Sequence, residues 1–253
     1  MRKLLPAVLL AVAFLLSLYL GATQIESFWS ALVNPGSNEI LWQIRFPRAT
    51  AAVIVGAALG VAGLLAQGAC NNAVAEPAIL GTAAGAAFGA VLAISTGLVE
   101  VGTIGAIACG TIGALLTTAL TFKLAAIRGA LSSFTLIIVG IAISAIFTSF
   151  VGIASAMASR ADARSISFWS LGSLALITSE NLIGIALTTL IGVAIAWKVA
   201  PALDRLSLGD ATAFHLGVNV ARIRLFALIA LSILAGGAVS TVGSIAFIGL
   251  LAT

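Results

Sequence analysis

The stretch that decides the fold is residues 41–81, which read LWQIRFPRATAAVIVGAALGVAGLLAQGACNNAVAEPAILG. It opens with two arginines, Arg45 and Arg48, and it ends in a polar turn that runs from Asn71 to Glu76. Between these turns lie about twenty apolar and small residues, which is the length of a membrane-spanning helix. Arginine and glutamate are costly inside a membrane, so the stretch predicts one spanning helix bounded by two polar turns.

The composition of the whole chain also indicates a membrane protein. Of the 253 residues, 61% are hydrophobic and 8% are charged, whereas a soluble domain carries about 25% charged residues. The sequence therefore predicts an all-α fold, a polytopic transmembrane helical bundle that forms a single domain over residues 1–253. We interpret the net charge of +4 as an asymmetry between the loops and not as a nucleic-acid-binding surface.

Seven segments are predicted to span the membrane, at about residues 4–22, 50–69, 79–96, 103–122, 132–155, 179–197 and 225–241. An N-terminus in the cytoplasm gives the cytoplasmic side eight basic residues, namely Arg2, Lys3, Lys123, Arg128, Lys198, Arg205, Arg222 and Arg224. The opposite side then holds four, Arg45, Arg48, Arg160 and Arg164. This excess supports the orientation, because cytoplasmic loops are enriched in Lys and Arg. The first segment also resembles a secretory signal peptide cleaved near Gly21, but its length favours an uncleaved helix.

Small residues recur at helical spacing in two of the predicted spans. Gly56 and Gly60 form a GxxxG motif in the second span, and Gly81, Gly85 and Gly89 form a doubled motif in the third. Small residues let two helix backbones approach closely, which is how helices associate in lipid. We therefore predict that these five glycines serve helix packing and do not bind a ligand.

Residues 198–224 form one sizeable polar loop on the predicted cytoplasmic side. Pro201 interrupts the sixth span, and Asp210 and Gly217 predict the start and the end of a short amphipathic helix. The apolar residues of this loop are Leu206, Leu208, Phe214 and Leu216. They either form a surface for a partner or lie back on the neighbouring helix ends. On the other side, residues 156–178 fit a short interfacial helix or a solvated loop equally well.

The residues that enzymes and metal sites require are scarce. The chain has no Gly-x4-Gly-Lys-Ser/Thr motif for ATP, one histidine, His215, and two isolated cysteines, Cys70 and Cys109. We therefore predict no catalytic residue and no metal site. The predicted spans are nearly free of charge, which is unusual for a transporter driven by a proton gradient. If the chain moves a substrate uphill, a partner is the expected source of energy.

Seven motifs in order resemble the FecCD-type permeases of ABC importers for iron-siderophores, haem and cobalamin. The motifs are Arg45-Phe-Pro-Arg48, Gly56 to Gln67, Asn72 to Gly81, Leu136 to Ile143, Trp169 to Ser173, Leu208 to Val218 and Gly243 to Leu250. The resemblance implies a type II importer permease in the bacterial inner membrane. It also implies a second permease subunit, a separate ATPase subunit that binds ATP-Mg, and a periplasmic or lipid-anchored substrate-binding protein. No cofactor is expected on this chain.

The resemblance gives roles to several residues. Arg45 and Arg48 match arginines that meet acidic groups of the substrate-binding protein, although both could instead only snorkel to the membrane interface. Ser132 and Ser133 lie in a region that resembles the cytoplasmic gate. The loop resembles the coupling helices that contact the ATPase subunit, through Leu208, Gly209, Asp210, Ala213, Phe214, Leu216 and Gly217.

The chain departs from this pattern in two places. Ala73 stands where the family turn has proline, and the chain ends at Thr253, where such permeases continue with about three more helices. We therefore expect a C-terminally truncated permease with about seven of the usual ten spans. An iron-siderophore is the expected substrate because it is the commonest cargo in the family, with haem or cobalamin next. The alternatives are a stand-alone gradient-driven secondary transporter and a non-functional fragment.

Overall fold

The computed structural model describes residues 4–25, 27–127, 132–175, 177–245 and 247–251. Over these residues the chain is helical and contains no strand. We number the α-helices in chain order: α1 Leu4–Tyr19, α2 Phe28–Val33, α3 Phe46–Cys70, α4 Thr82–Ser95, α5 Ile104–Ala126, α6 Ser133–Met157, α7 Arg160–Ser170, α8 Ser179–Leu206, α9 Asp210–His215, α10 Val220–Val242 and α11 Ile248–Leu251. The all-α prediction is confirmed.

Each of the seven predicted spans corresponds to a helix. Five helices are long and apolar enough to cross a membrane, the first of them including a π-helical turn that precedes α3. Their bounds are Ile40–Cys70, Ile104–Ala126, Ser133–Met157, Ser179–Leu206 and Val220–Val242. The other two, Leu5–Tyr19 and Thr82–Ser95, are apolar but shorter.

Polar residues between the spans determine where several of these helices begin. The side chains of Thr103, Ser132, Thr178 and Asn219 each accept a hydrogen bond from the backbone N–H three residues later, at the starts of α5, α6, α8 and α10. The first turn of a helix leaves N–H groups without a partner inside the helix, and such side chains supply one. These caps therefore fix the ends of four helices from local sequence.

Helix α10 is the centre of the bundle. It packs against α3, α5 and α8, and it is buried along most of its length. Helix α4 packs against α5 and α6, whereas α6 leaves most of its apolar side chains exposed. We call the region where α3 ends and α6 and α10 begin the loop end, and the region where α3 begins the opposite end.

The glycines of α4, which is the third predicted span, bring this helix into close contact with α5. A Cβ at Gly85 would lie 1.9 Å from Thr117 Oγ1, and a Cβ at Gly89 would lie 2.4 Å from the carbonyl oxygen of Cys109. Gly113 of α5 fits between them. Gly56 does not make the contact expected of it within the described residues, because a Cβ there would have no neighbour within 4 Å. On α3, the close approach is instead at Gly63, against Gly249.

The polar turn after α3 folds back into the bundle. Its 3-10 helical part, Pro77–Leu80, is held by Thr121, which donates to the carbonyl of Leu80 at 3.2 Å, and by Ser144, which donates to that of Ala78 at 3.0 Å. Ser144 lies 11 residues into α6, which is about 16 Å from the loop end.

This re-entrant turn corrects one prediction and explains a short helix. The predicted spans leave residues 70–78 as a loop between the second and third spans. This prediction is wrong for Pro77 and Ala78, which lie inside the bundle. Because α4 starts at this depth, its 14 residues, about 21 Å in length, complete the path to the opposite end. Gly81 permits the change of direction with a φ of +88°.

Candidate coupling, gating and docking sites

The loop between α8 and α10 forms the predicted short helix, α9. The interruption predicted at Pro201 is wrong, because α8 continues through this residue to Leu206, and proline is tolerated inside membrane helices. It begins at Asp210 after Gly209, whose φ is +98°, and it is followed by Gly217, whose φ is +78°. Both values lie in the region that side chains with a Cβ rarely adopt. The two glycines therefore let the chain leave α8, form one and a half turns and return to α10.

The apolar residues of this loop divide into two sets. Leu206 and Ala213 are fully buried with Val218 in a small cluster against the ends of α8 and α10. Leu208, Phe214 and Leu216 are exposed, Phe214 by 71%. The first set lies back on the helix ends, as one interpretation of the sequence predicted. The second set is an apolar surface on the outside of the molecule, and its contact with a partner stays a prediction.

A buried arginine, Arg224, joins this loop to the bundle. Its Nη1 and Nη2 atoms donate to the two carboxylate oxygens of Asp210, each at 2.9 Å. Nη2 also donates to Ser133 Oγ at 2.9 Å, and Nε donates to the carbonyl oxygen of Ala69 at 2.9 Å. One side chain on α10 therefore contacts α9, the first residue of α6 and the last turn of α3.

Burial makes these contacts strong. The side chain of Arg224 is 1% exposed, whereas that of Asp210 is 48% exposed. A buried guanidinium loses its hydration, so it is stable only when its N–H groups find acceptors and a counter-charge. The fork geometry to Asp210 meets this need, because bidentate pairs between arginine and carboxylate are stronger than neutral hydrogen bonds.

Arg224 was not predicted as a site residue, although the sequence carries a signal for it. It was counted only as one of eight basic loop residues. Arg222 and Arg224 are two positions apart on a helix and therefore point about 200° apart. If Arg222 faces water, as it does here, then Arg224 must face the bundle.

The two serines of the predicted gate have different contacts. Ser132 caps α6, because its Oγ accepts a hydrogen bond from the N–H of Thr135 at 3.1 Å. Ser133 accepts from Arg224. Both serines are half-buried. Only the hydroxyl of Ser133 therefore links the start of α6 to Arg224. The role of both serines as a gate stays a prediction.

At the opposite end, Arg45 is buried and bound to the first helix. Its guanidinium donates to the carbonyl oxygens of Leu18 and Tyr19, each at 2.8 Å, and to that of Thr23. The last carbonyls of a helix have no partner inside the helix, and a cation there also complements the helix dipole. Arg45 thus closes the end of α1, and it is 9% exposed.

Arg48 differs from Arg45 in its exposure. It lies one turn further along α3, its side chain is exposed, and Nη2 donates to the carbonyl oxygen of Ala175 at 2.7 Å. Both arginines line a groove of about 800 Å³ between α1 and α3. Of the two residues predicted to dock a binding protein, only Arg48 presents its side chain at the surface.

The segment at residues 156–178 is helical at its centre, as one of its two interpretations predicted. In α7, Ile166 and Trp169 are buried, and Trp169 Nε1 donates to the carbonyl oxygen of Ser240 at 3.3 Å. Among the described residues there is no group of three or more His, Cys, Asp and Glu side chains able to hold a metal ion.

Comparison with known proteins identifies the family. The model of the FecCD transport family matches residues 9–253. The chain belongs to the FecCD family. The predicted resemblance is therefore confirmed.

Curated members of the FecCD family are similar along nearly the whole chain. The chain is 34% identical over 252 residues to the iron(3+)-hydroxamate import system permease FhuB of Bacillus subtilis strain 168, covering 96% of this chain and 64% of that protein. It is 36% identical over 250 residues to the ferric enterobactin permease FepD of Escherichia coli K12, covering 96% and 74%. It is 32% identical over 263 residues to the vitamin B12 permease BtuC of Vibrio vulnificus, covering 96% and 73%.

The fold is also found in a solved structure of an ABC transporter. The chain matches a metal-chelate type ABC transporter in an inward-facing conformation with a TM-score of 0.82 and 27% sequence identity. The match covers 99% of this chain and 79% of that one. The chain is therefore an integral membrane protein of the permease class, built on the fold of metal-chelate ABC transporters.

Proposed function

We propose that this chain is the permease subunit of an ATP-driven importer in the bacterial inner membrane, with its N-terminus and its loop end in the cytoplasm. The observation that carries the proposal is the exposed apolar surface of the loop, formed by Leu208, Phe214 and Leu216. A surface of this kind marks a protein contact. The loop is anchored by buried residues and by Asp210, so force applied to it reaches the bundle.

In this proposal the energy comes from another chain. The sequence has no phosphate-binding loop of its own, so ATP and Mg²⁺ would bind to a separate ATPase subunit that contacts the loop. Relatives are named as permeases of import or transport systems, which supports this arrangement. The permease would open alternately to the two sides of the membrane as the ATPase subunit binds and hydrolyses ATP.

The proposed substrate is an iron-siderophore complex. Two of the relatives are named for ferric hydroxamate and ferric enterobactin, and others are named for haemin and vitamin B12. Iron chelates are therefore the favoured class, with haem and cobalamin as the competing outcomes of a transport assay.

A second permease subunit is proposed to pack beside α6. Its exposed apolar residues include Phe134, Ile138, Ile141 and Ile153, and α6 has the smallest buried share of the long apolar helices in the described part of the chain. The substrate path would then lie between two such subunits. Membrane lipid would cover the remaining apolar faces of the bundle.

Reconstitution tests the proposed function. The chain is co-expressed with the ATPase subunit and the substrate-binding protein of its own organism, and the complex is placed in liposomes. We expect uptake of a labelled ferric siderophore that requires ATP and both partners. Uptake by the chain alone under a proton gradient would instead establish a secondary transporter. Absence of any uptake by the assembled complex would support a non-functional fragment.

Phe214→Asp is expected to release the ATPase subunit. An aromatic residue at the centre of an interface contributes about 2 kcal/mol or more, which corresponds to a loss of about 30-fold in affinity. Affinity purification of the permease, with the ATPase subunit quantified on a gel, measures this loss. Leu98→Asp is the control, because Leu98 is equally exposed but lies at the opposite end. Equal retention of the ATPase subunit by both variants would contradict the contact.

Arg48→Glu is expected to weaken the affinity of the substrate-binding protein for the permease. A charge at the rim of an interface steers an acidic partner, and its reversal is expected to raise the Kd about tenfold. Surface plasmon resonance on the reconstituted permease measures the Kd at low and high salt. Arg222→Glu, an exposed reversal at the loop end, serves as the control. An unchanged Kd for Arg48→Glu would remove Arg48 from the docking surface.

A further inference from the structure

The Arg224 junction connects groups that differ sharply in their access to solvent. Asp210 is about half exposed and lies on α9, directly beside the apolar surface of the loop. Arg224, Ala69 and the start of α6 lie behind it, and Arg224 is 1% exposed. A partner that contacts the loop can reach the carboxylate of Asp210, but it cannot reach the arginine.

The junction also concentrates three acceptors on one guanidinium. Nη2 of Arg224 donates both to Asp210 and to Ser133, and Nε donates to Ala69. Because the guanidinium is planar and rigid, its N–H directions cannot be adjusted one by one. A displacement of Asp210 must therefore rotate the guanidinium, or it must leave a buried cation without its counter-charge. Either event changes the contacts to α3 and α6.

We propose that Arg224 is the positioning residue through which the loop controls the cytoplasmic ends of α3 and α6. This inference rests on the proposed function, since it takes the ATPase subunit as the partner that moves α9. When α9 is displaced, Asp210 withdraws from Arg224, and the hydrogen bond to Ser133 no longer holds the first turn of α6. That turn contains both serines of the predicted gate, so its release opens the path at the loop end.

The junction is suited to repeated switching. Ser133 contributes a small hydroxyl that water can replace when the hydrogen bond is broken. The carbonyl of Ala69 belongs to the last turn of α3, which ends before Asn71. The carbonyls of a last helical turn have no partner inside the helix. Apart from the carboxylate of Asp210, the acceptors are therefore a hydroxyl and a helix-end carbonyl, both of which can be hydrated in the open state.

Arg224→Lys tests the proposal in the full complex with the ATPase and binding proteins. Lysine keeps the charge but cannot reproduce the fork to Asp210 together with the bonds to Ser133 and Ala69. The readout is the labelling rate of Phe134→Cys, in a background carrying Cys70→Ala and Cys109→Ala. Phe134 is in the first turn of α6 and lies against the proposed second subunit in the complex, so its access to the reagent changes when that turn moves. Labelling is measured with and without ATP.

In the parent complex, we expect ATP to change the labelling rate about tenfold, within the 5- to 150-fold range of typical coupling. In Arg224→Lys, the change is expected to fall to less than about twofold, while the ATPase subunit still co-purifies. The matched control is Arg222→Lys, two residues earlier and exposed, which is expected to keep the parent response. A full response to ATP in Arg224→Lys would overturn the proposal.

A second variant covers the case in which Arg224→Lys does not fold. Ser133→Ala keeps the pair of Arg224 with Asp210 and removes only the contact to α6. It is expected to fold normally and to reduce the ATP response by about threefold or more. An unchanged response would show that the hydrogen bond is merely structural, and it would overturn the proposal. Failure of the parent complex to bind the ATPase subunit would instead contradict the proposed function itself.

Discussion

Replacing Gly113 by alanine is expected to lower the free energy of unfolding by about 3 kcal/mol, at the upper end of the usual range for overpacking. A Cβ at this position would lie 2.3 Å from the carbonyl oxygen of Gly85 and 3.0 Å from the Cα atom of Gly89. Both neighbours are backbone atoms, which cannot move aside as a side chain can. The whole of α4 would therefore have to shift away from α5.

Thermal unfolding of the purified protein in detergent measures this effect. Gly56→Ala is the matched control, because it adds the same methyl group to a spanning helix at a position with no neighbour within 4 Å. Its expected effect is within about 0.5 kcal/mol. Equal melting temperatures for the two variants would show that the α4–α5 contact is looser than the structure indicates.

Arg45→Glu is expected to lower the free energy of unfolding by about 4 kcal/mol. It is also expected to detach the end of α1 from α3. The substitution removes the donors that satisfy three carbonyl oxygens, and it places a negative charge beside them. Unsatisfied buried acceptors cost about 1 to 3 kcal/mol each, and an unpaired buried charge adds to this cost. This effect differs from simple loss of docking, which the sequence alone predicted for Arg45.

Limited proteolysis of the segment at residues 20–25 and thermal unfolding together measure this effect. Arg48→Glu reverses the same charge one turn away at an exposed position, so it is expected to leave both measurements nearly unchanged. If Arg45→Glu were as stable as Arg48→Glu, the hydrogen bonds to α1 would contribute little. If Arg45→Glu changed only the affinity for the binding protein, the result would support the predicted docking role of Arg45.

The family and the helices were predictable because their signals are local. The apolar runs and the capping residues Thr103, Ser132, Thr178 and Asn219 act through nearby residues. The short helix α9 was predicted from the same kind of signal. The break predicted at Pro201 was wrong, because α8 continues through this residue to Leu206. The prediction failed for Pro77 and Ala78 because a polar turn looks the same in sequence whether it faces water or folds back on Thr121 and Ser144.

The site residues show the same division. Phe214 and Asp210 were placed correctly on a short helix, but the partner of Asp210 was not predicted, since Arg224 lies 14 residues away and its other acceptors lie 91 and 155 residues away. The two arginines of the opening stretch could not be told apart by sequence. The structure separates them, because Arg45 meets the end of α1 and Arg48 meets the surface.

The sequence by itself determined that this protein is a helical membrane bundle of the FecCD family with a short helix in its largest loop. These properties follow from hydrophobic length, capping and motif order. All three can be recognised along the chain without knowing which distant residues meet in the fold. Only the tertiary structure decided which charges are buried, which glycines touch another helix and where the chain re-enters the bundle. Each depends on groups far apart in sequence, because a buried polar group is stable only where the fold brings it a partner.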